Sequence, residues 1–108
     1  MRFFLSILFF LISINIFSQD IIVIGQVFSL EEKTPLEGAK VWFSGTKIST
    51  RTNNEGYFFL QSEKPENSVI VSIFGYKQQE VKLDKNRRDQ MLEIHLKDEI
   101  NILKHSGN

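Results

Sequence analysis

The side chains best suited to chemistry in this chain are two histidines, His95 and His105, and a scatter of carboxylates. Zinc chemistry would need at least three convergent ligands. His95 stands between Glu93 and Lys97 on the outward face of a strand-like run, and His105 lies near the C-terminus. Neither belongs to a spaced ligand set, so both are expected to be inert surface residues. Glu31, Glu32, Glu37, Glu55, Glu63, Glu66 and Asp84 all fall in turn-rich segments. A carboxylate pair can hydrolyse glycosidic bonds, but acids spread over separate loops read as solvated groups. Asn53, Asn54 and Glu55 carry oxygen atoms of the kind that bind Ca²⁺; with Gly56 beside them they read as an Asx-type turn instead. There is no Cys, hence no thiol nucleophile and no disulfide. No Gly-x-Ser-x-Gly, phosphate loop or His-Glu-x-x-His occurs. The expectation is a non-enzyme without cofactor or metal.

Trp42 is the residue with binding potential. Its period-two register places it opposite Val41 and Phe43, beside Lys40 and Ser44. An exposed Trp stacks on sugars or anchors an interface, which makes a glycan the alternative ligand to a protein partner. Lys85-Asn86-Arg87-Arg88 is the one basic cluster, and Asp84 and Asp89 flank it. It reads as a solvated loop, and no nucleic-acid partner is expected.

The elements that hold these residues begin after an N-terminal segment of different character. Arg2 is the only charge before Asp20, and Phe3 to Phe17 is Leu, Ile and Phe broken only by Ser6, Ser13 and Asn15. A basic start, an apolar stretch and a small residue at Ser18 predict a signal peptide over residues 1–18. The run is shorter than the roughly 20 residues of a membrane span. Its removal leaves 12 basic residues against 13 acidic, counted from 13 and 13, still close to neutral. Five of the ten Phe (Phe3, Phe4, Phe9, Phe10 and Phe17) belong to this segment, so they do not contribute to a core. The protein is expected to be exported.

From residue 21 onward, short β-rich runs alternate with turn residues. Strands are predicted at 21–28, 39–44, 57–60, 69–74, 76–83 and 91–96, with 47–52 a short polar strand or loop consistent with an edge. Ala39, Val41 and Phe43 share one face, Phe58 and Leu60 another, and Leu92, Ile94 and Leu96 a third. Val69 to Phe74 is apolar enough to be a central strand covered on both faces. Gly25 marks a bulge or a close backbone approach. Pro35 and Gly38, Gly45, Asn53 and Gly56, and Gly75 mark the turns. The spacing predicts one all-β sandwich over 21–97, with 98–108 a frayed tail.

Five pieces occur in order: Gly25-Gln26-Val27, Thr34-Pro35-Leu36-Glu37-Gly38-Ala39-Lys40-Val41, Gly45-Thr46, Thr52-Asn53-Asn54-Glu55-Gly56-Tyr57-Phe58, and Ser72-Ile73-Phe74-Gly75-Tyr76. Together they resemble the carboxypeptidase regulatory-like (carboxypeptidase D regulatory-like) domain over residues 21–97. The family often carries Asp where Asn53 stands, a conservative change for an Asx turn. The resemblance implies a seven-stranded transthyretin-like (prealbumin-like) β-sandwich without catalytic function. It also implies an accessory or N-terminal module of an outer-membrane TonB-dependent receptor of the Bacteroidetes type, with an outer-membrane or periplasmic protein as partner. No receptor plug or barrel follows within the 108 residues, so the chain is expected to be a free-standing module or the front piece of a larger receptor.

Overall fold

A computed structural model describes residues 20–99. The segment read as a signal peptide, and the tail from residue 100 onward with His105, lie outside the described residues. The chain forms β1 (Ile21–Ser29), β2 (Lys40–Phe43), β3 (Ser49–Arg51), β4 (Tyr57–Ser62), β5 (Ser68–Ser72), β6 (Gln79–Lys82) and β7 (Asp89–Leu96). No helix occurs among the described residues. The strands build two sheets, one ordered β4-β1-β7 and the other β3-β2-β5-β6. This is the seven-stranded, two-sheet all-β architecture the turn spacing predicts.

The core is the set of inward positions of both sheets. Val23 and Val27 of β1, Val41 and Phe43 of β2, Phe58 and Leu60 of β4, Val69 and Val71 of β5, and Ile94 and Leu96 of β7 are all buried. Each buried aliphatic or aromatic side chain contributes about 1.5–3 kcal/mol relative to exposure. With no disulfide, this burial holds the sheets together. Leu83, just after β6, joins the cluster and Val81 of β6 packs against it, as their alternation predicts.

β5 departs from the expectation of a strand covered on both faces. Val69 and Val71 are buried, but Ile70 is only half-buried and Phe74 is 98% exposed. The strand ends at Ser72, two residues before Phe74, so the apolar run outlasts the pairing. Nothing described lies over the outer face of this sheet, because each sheet has only one partner layer.

β1 and β7 pair in parallel, from Ile22 opposite Asp89 to Ser29 opposite Leu96, while β1 and β4 run antiparallel. Beyond β7 the chain crosses to the other sheet's β5–β6 connection. Lys77 N donates to Lys97 O at 2.8 Å, Glu99 N donates to Gly75 O at 3.0 Å, and Tyr76 bridges Asp98. Asp98 and Glu99, in the stretch read as tail, are therefore hydrogen-bonded to the body.

A candidate interaction surface

Register decides which side chains share the outer face of the three-stranded sheet. Ile24 stands opposite Phe59 on one side and Met91 on the other. Gln26 stands between Tyr57 and Glu93, and Ile22 between Gln61 and Asp89. Side chains alternate across a pleated strand, so these rows all point to solvent. The middle row, Phe59–Ile24–Met91, is apolar from edge to edge. Phe59 is 52% exposed, Ile24 39% and Met91 81%, with Tyr57 at 41% in the next row. Single exposed apolar residues need no explanation, whereas a contiguous row marks a contact surface.

Two shallow depressions border the row. One, of about 390 Å³, is lined by Ile24, Arg51, Asn53, Tyr57, Phe58 and Phe59. The other, of about 230 Å³, includes Gly25, Gln26, Met91 and Glu93. Gly25 and Phe58 are pairing partners, and the Phe58 ring lies across the glycine on the core side. A Cβ at position 25 would sit 2.4 Å from Phe58 Cε2. Gly25 thus serves a close approach, the second of the two roles its place in a strand allows, and β1 stays paired on both sides.

Local turn chemistry fixes one end of the surface. Asn53 Oδ1 accepts from Glu55 N at 3.0 Å and Tyr57 N at 2.9 Å, while Gly56 N donates to Asn53 O. Gly56 has φ of 82°, and a Cβ there would come within 2.7 Å of Val27 O. These contacts start β4 in the register that turns Tyr57 and Phe59 outward. Just before the turn, Thr52 is buried. Its hydroxyl donates to Leu36 O at 2.6 Å and accepts from Ala39 N at 2.8 Å. It thereby ties the Pro35–Gly38 turn to the Asn53 turn. Pro35 itself bridges Phe28, and Gly38, Gly45 and Gly75 occupy their turns with positive φ.

Trp42 points outward from the four-stranded sheet, between Ser49 and Ile70, and is half-buried. Lys40 Nζ lies 5.3 Å from the ring centroid, a cation–π contact. Lys40, Trp42, Thr46, Lys47 and Ser49 line an open groove of about 340 Å³. Trp42 and the Phe59–Ile24–Met91 row therefore occupy opposite outer faces of the sandwich and do not form one site.

His95 stacks on Phe28 with centroids 5.3 Å apart and planes at 19°, and its Nε2 lies 3.7 Å from Glu93 Oε2. Glu66 and Asp84 go to local hydrogen bonds, with Ser62 Oγ donating to Glu66 Oε2 and Asn86 N to Asp84 Oδ1, while Glu31 accepts from Asp98 N. Among the described residues no group of three His, Asp or Glu converges on a possible metal position. No buried side-chain polar atom among them lacks a hydrogen-bond partner. Lys85 to Arg88 lie exposed in the β6–β7 turn. The outer faces thus offer apolar, aromatic and charged contacts.

A model of the family described as CarboxypepD_reg-like domain matches residues 23–106. The chain belongs to this family. No curated protein sequence matches the CarboxypepD_reg-like chain. Among solved structures it is similar to a chain of a type II cohesin–X-dockerin complex from Acetivibrio cellulolyticus. There the TM-score is 0.57 and the identity 19%, over 70% of this chain and 56% of that one. It is also similar to 3-chlorocatechol 1,2-dioxygenase from Rhodococcus opacus 1CP, with TM-score 0.51 and 13% identity over 73% of this chain and 60% of that one. The group B streptococcus pilus 2b backbone protein aligns with TM-score 0.50 and 11% identity, over 76% of this chain and 42% of that one. At these identities the likeness is one of fold. The chain spans little more than half the length of the cohesin-complex chain it matches.

Sequence reasoning missed the Phe59–Ile24–Met91 row. Its signal was present in Tyr57-Phe58-Phe59-Leu60, where both faces of the strand are apolar. What could not be read was which strands flank β1, and hence that Ile24 and Met91 stand beside Phe59.

Proposed function

We propose that this domain is a non-catalytic protein-interaction module of an exported protein. In this reading it works in the periplasm or at the outer membrane, as an accessory or N-terminal part of a TonB-dependent nutrient-uptake system. The observation that carries the interaction reading is the solvent-facing apolar row Phe59–Ile24–Met91 with Tyr57 beside it. The basic-then-apolar start of the chain supports export. The family resemblance supports the receptor setting.

Crosslinking in the native envelope, with Phe59→Ser and Met91→Ser combined as the comparison, tests the reading. The expected result is capture of a membrane-associated protein by the native chain and its loss in the double variant. Equal capture by both would remove this face from the interaction, and no envelope partner for either would remove the receptor setting.

A glycan is the second reading, and the groove around Trp42 favours it, because an indole there is flanked by hydroxyl and ammonium donors. Lys40 already engages the ring, so a sugar would compete with it. Calorimetric titration of the native domain and Trp42→Ala with envelope polysaccharides separates the readings: glycan binding lost on substitution supports this one.

A further inference from the structure

Among the described residues, the backbone of β7 has an unpaired side. Ile22 N donates to Arg88 O at 2.7 Å and Leu30 N donates to Leu96 O at 2.9 Å, at the two ends of the parallel β1–β7 pairing. In a parallel ladder, alternate residues of a strand bond to the same neighbour. Residues 88, 90, 92, 94 and 96 therefore bond to β1. The N–H and C=O groups of Asp89, Met91, Glu93 and His95 point the other way, and no described strand lies beyond them. The next residue of that parity, Lys97, already accepts from Lys77. The free window thus holds four residues with a closed C-terminal end. On β4 the same parity leaves Phe59 and Gln61, because Asn53 occupies both backbone groups of Tyr57. β3 and β6 are short edges. A long unpaired edge is a template for strand addition.

We propose that a second copy of this chain pairs antiparallel along β7, with Leu92 on the two-fold axis. The window itself selects this register. A two-fold that uses all four residues pairs Asp89 with the second copy's His95 and Met91 with its Glu93, each pair exchanging two backbone hydrogen bonds. Shifting the axis to Glu93 would set two carboxylates face to face and require Lys97, whose carbonyl Lys77 holds. Shifting it to Met91 would set Asp89 against Glu93. In the selected register no like charges are opposed. The two Met91 side chains become diagonal neighbours on one face, as do the two Glu93 side chains, and the row Phe59–Ile24–Met91 leads straight across into the second copy's Glu93–Gln26–Tyr57 row. The contact is isologous and closes on itself. It does not depend on the envelope partner, since it is measured on the purified chain alone.

The test is the mass of the full chain in sedimentation equilibrium at micromolar concentrations, with two variants. In Glu93→Pro the lost N–H is one that faces the free edge, and proline is tolerated at such positions. The expected result is a dimer for the native chain, weakened at least about tenfold in Glu93→Pro through the two backbone bonds removed. Circular dichroism should be unchanged. Because the chain has no Cys, Leu92→Cys supplies a single thiol at the axis. There it faces itself in a non-hydrogen-bonded pair with Cα atoms about 4.5 Å apart, within disulfide range. Mild oxidation should crosslink Leu92→Cys and leave Gln90→Cys uncrosslinked. A monomeric native chain overturns the proposal. So does a dimer that survives Glu93→Pro intact, or crosslinking of Gln90→Cys as fast as Leu92→Cys.

Discussion

Thr52 does more for this fold than its size suggests. One buried hydroxyl serves the carbonyl of Leu36 and the amide of Ala39, groups 16 and 13 residues away in sequence. Thr52→Val keeps the volume and leaves both partners buried without a bond. The expected loss is about 1–3 kcal/mol, read from denaturant unfolding as a lower midpoint at unchanged slope. Gly25→Ala tests the close approach from the other side, since its Cβ would meet the Phe58 ring. Overpacking of this kind costs about 1–3 kcal/mol, and Gly25→Ala combined with Phe58→Leu should recover part of it. The two cases differ in legibility. The Asn53–Gly56 turn is readable because its bonds close within five residues. The Thr52 bonds depend on chain segments that only tertiary structure brings together, so an ordinary-looking threonine conceals them.

At the scale of elements, alternation reads well where one face is apolar. Val41 and Phe43, and Ile94 and Leu96, point inward as the period of two requires. It reads poorly where both faces are apolar. In β4 the pattern Tyr57-Phe58-Phe59-Leu60 identifies a strand but does not say why two aromatics face water. The answer lies in cross-strand neighbours, which no local pattern encodes. Phe59→Ser and Met91→Ser should each change stability by no more than about 0.5 kcal/mol while reducing partner capture. Phe43→Ala, on a wholly buried side chain, should cost about 3–5 kcal/mol. Thermal unfolding of the three variants side by side separates a surface built for contact from a core built for cohesion.

At the scale of the whole molecule, one join between the two sheets is the crossing of Lys97–Glu99 onto Gly75–Lys77. Glu31 adds to it, since its carboxylate accepts from Asp98 N. Ending the chain after Leu96 removes these bonds and should lower stability by about 1–3 kcal/mol. The sites to check are the amides of Lys77 and its neighbours, which should lose hydrogen-exchange protection first. Composition and turn spacing made the sandwich legible as a class. They did not disclose that β1, first in sequence, is the central strand of its sheet.

That placement bears on timing. β1 reaches its full complement of partners only when β7, some sixty residues later, is available. Contacts so distant along the chain slow folding. A nascent chain made only as far as β6 has a central strand with one neighbour missing, so its three-stranded sheet can close only once β7 is made. Under the export proposed above, a sheet that closes late also keeps the chain from folding before it has crossed a membrane.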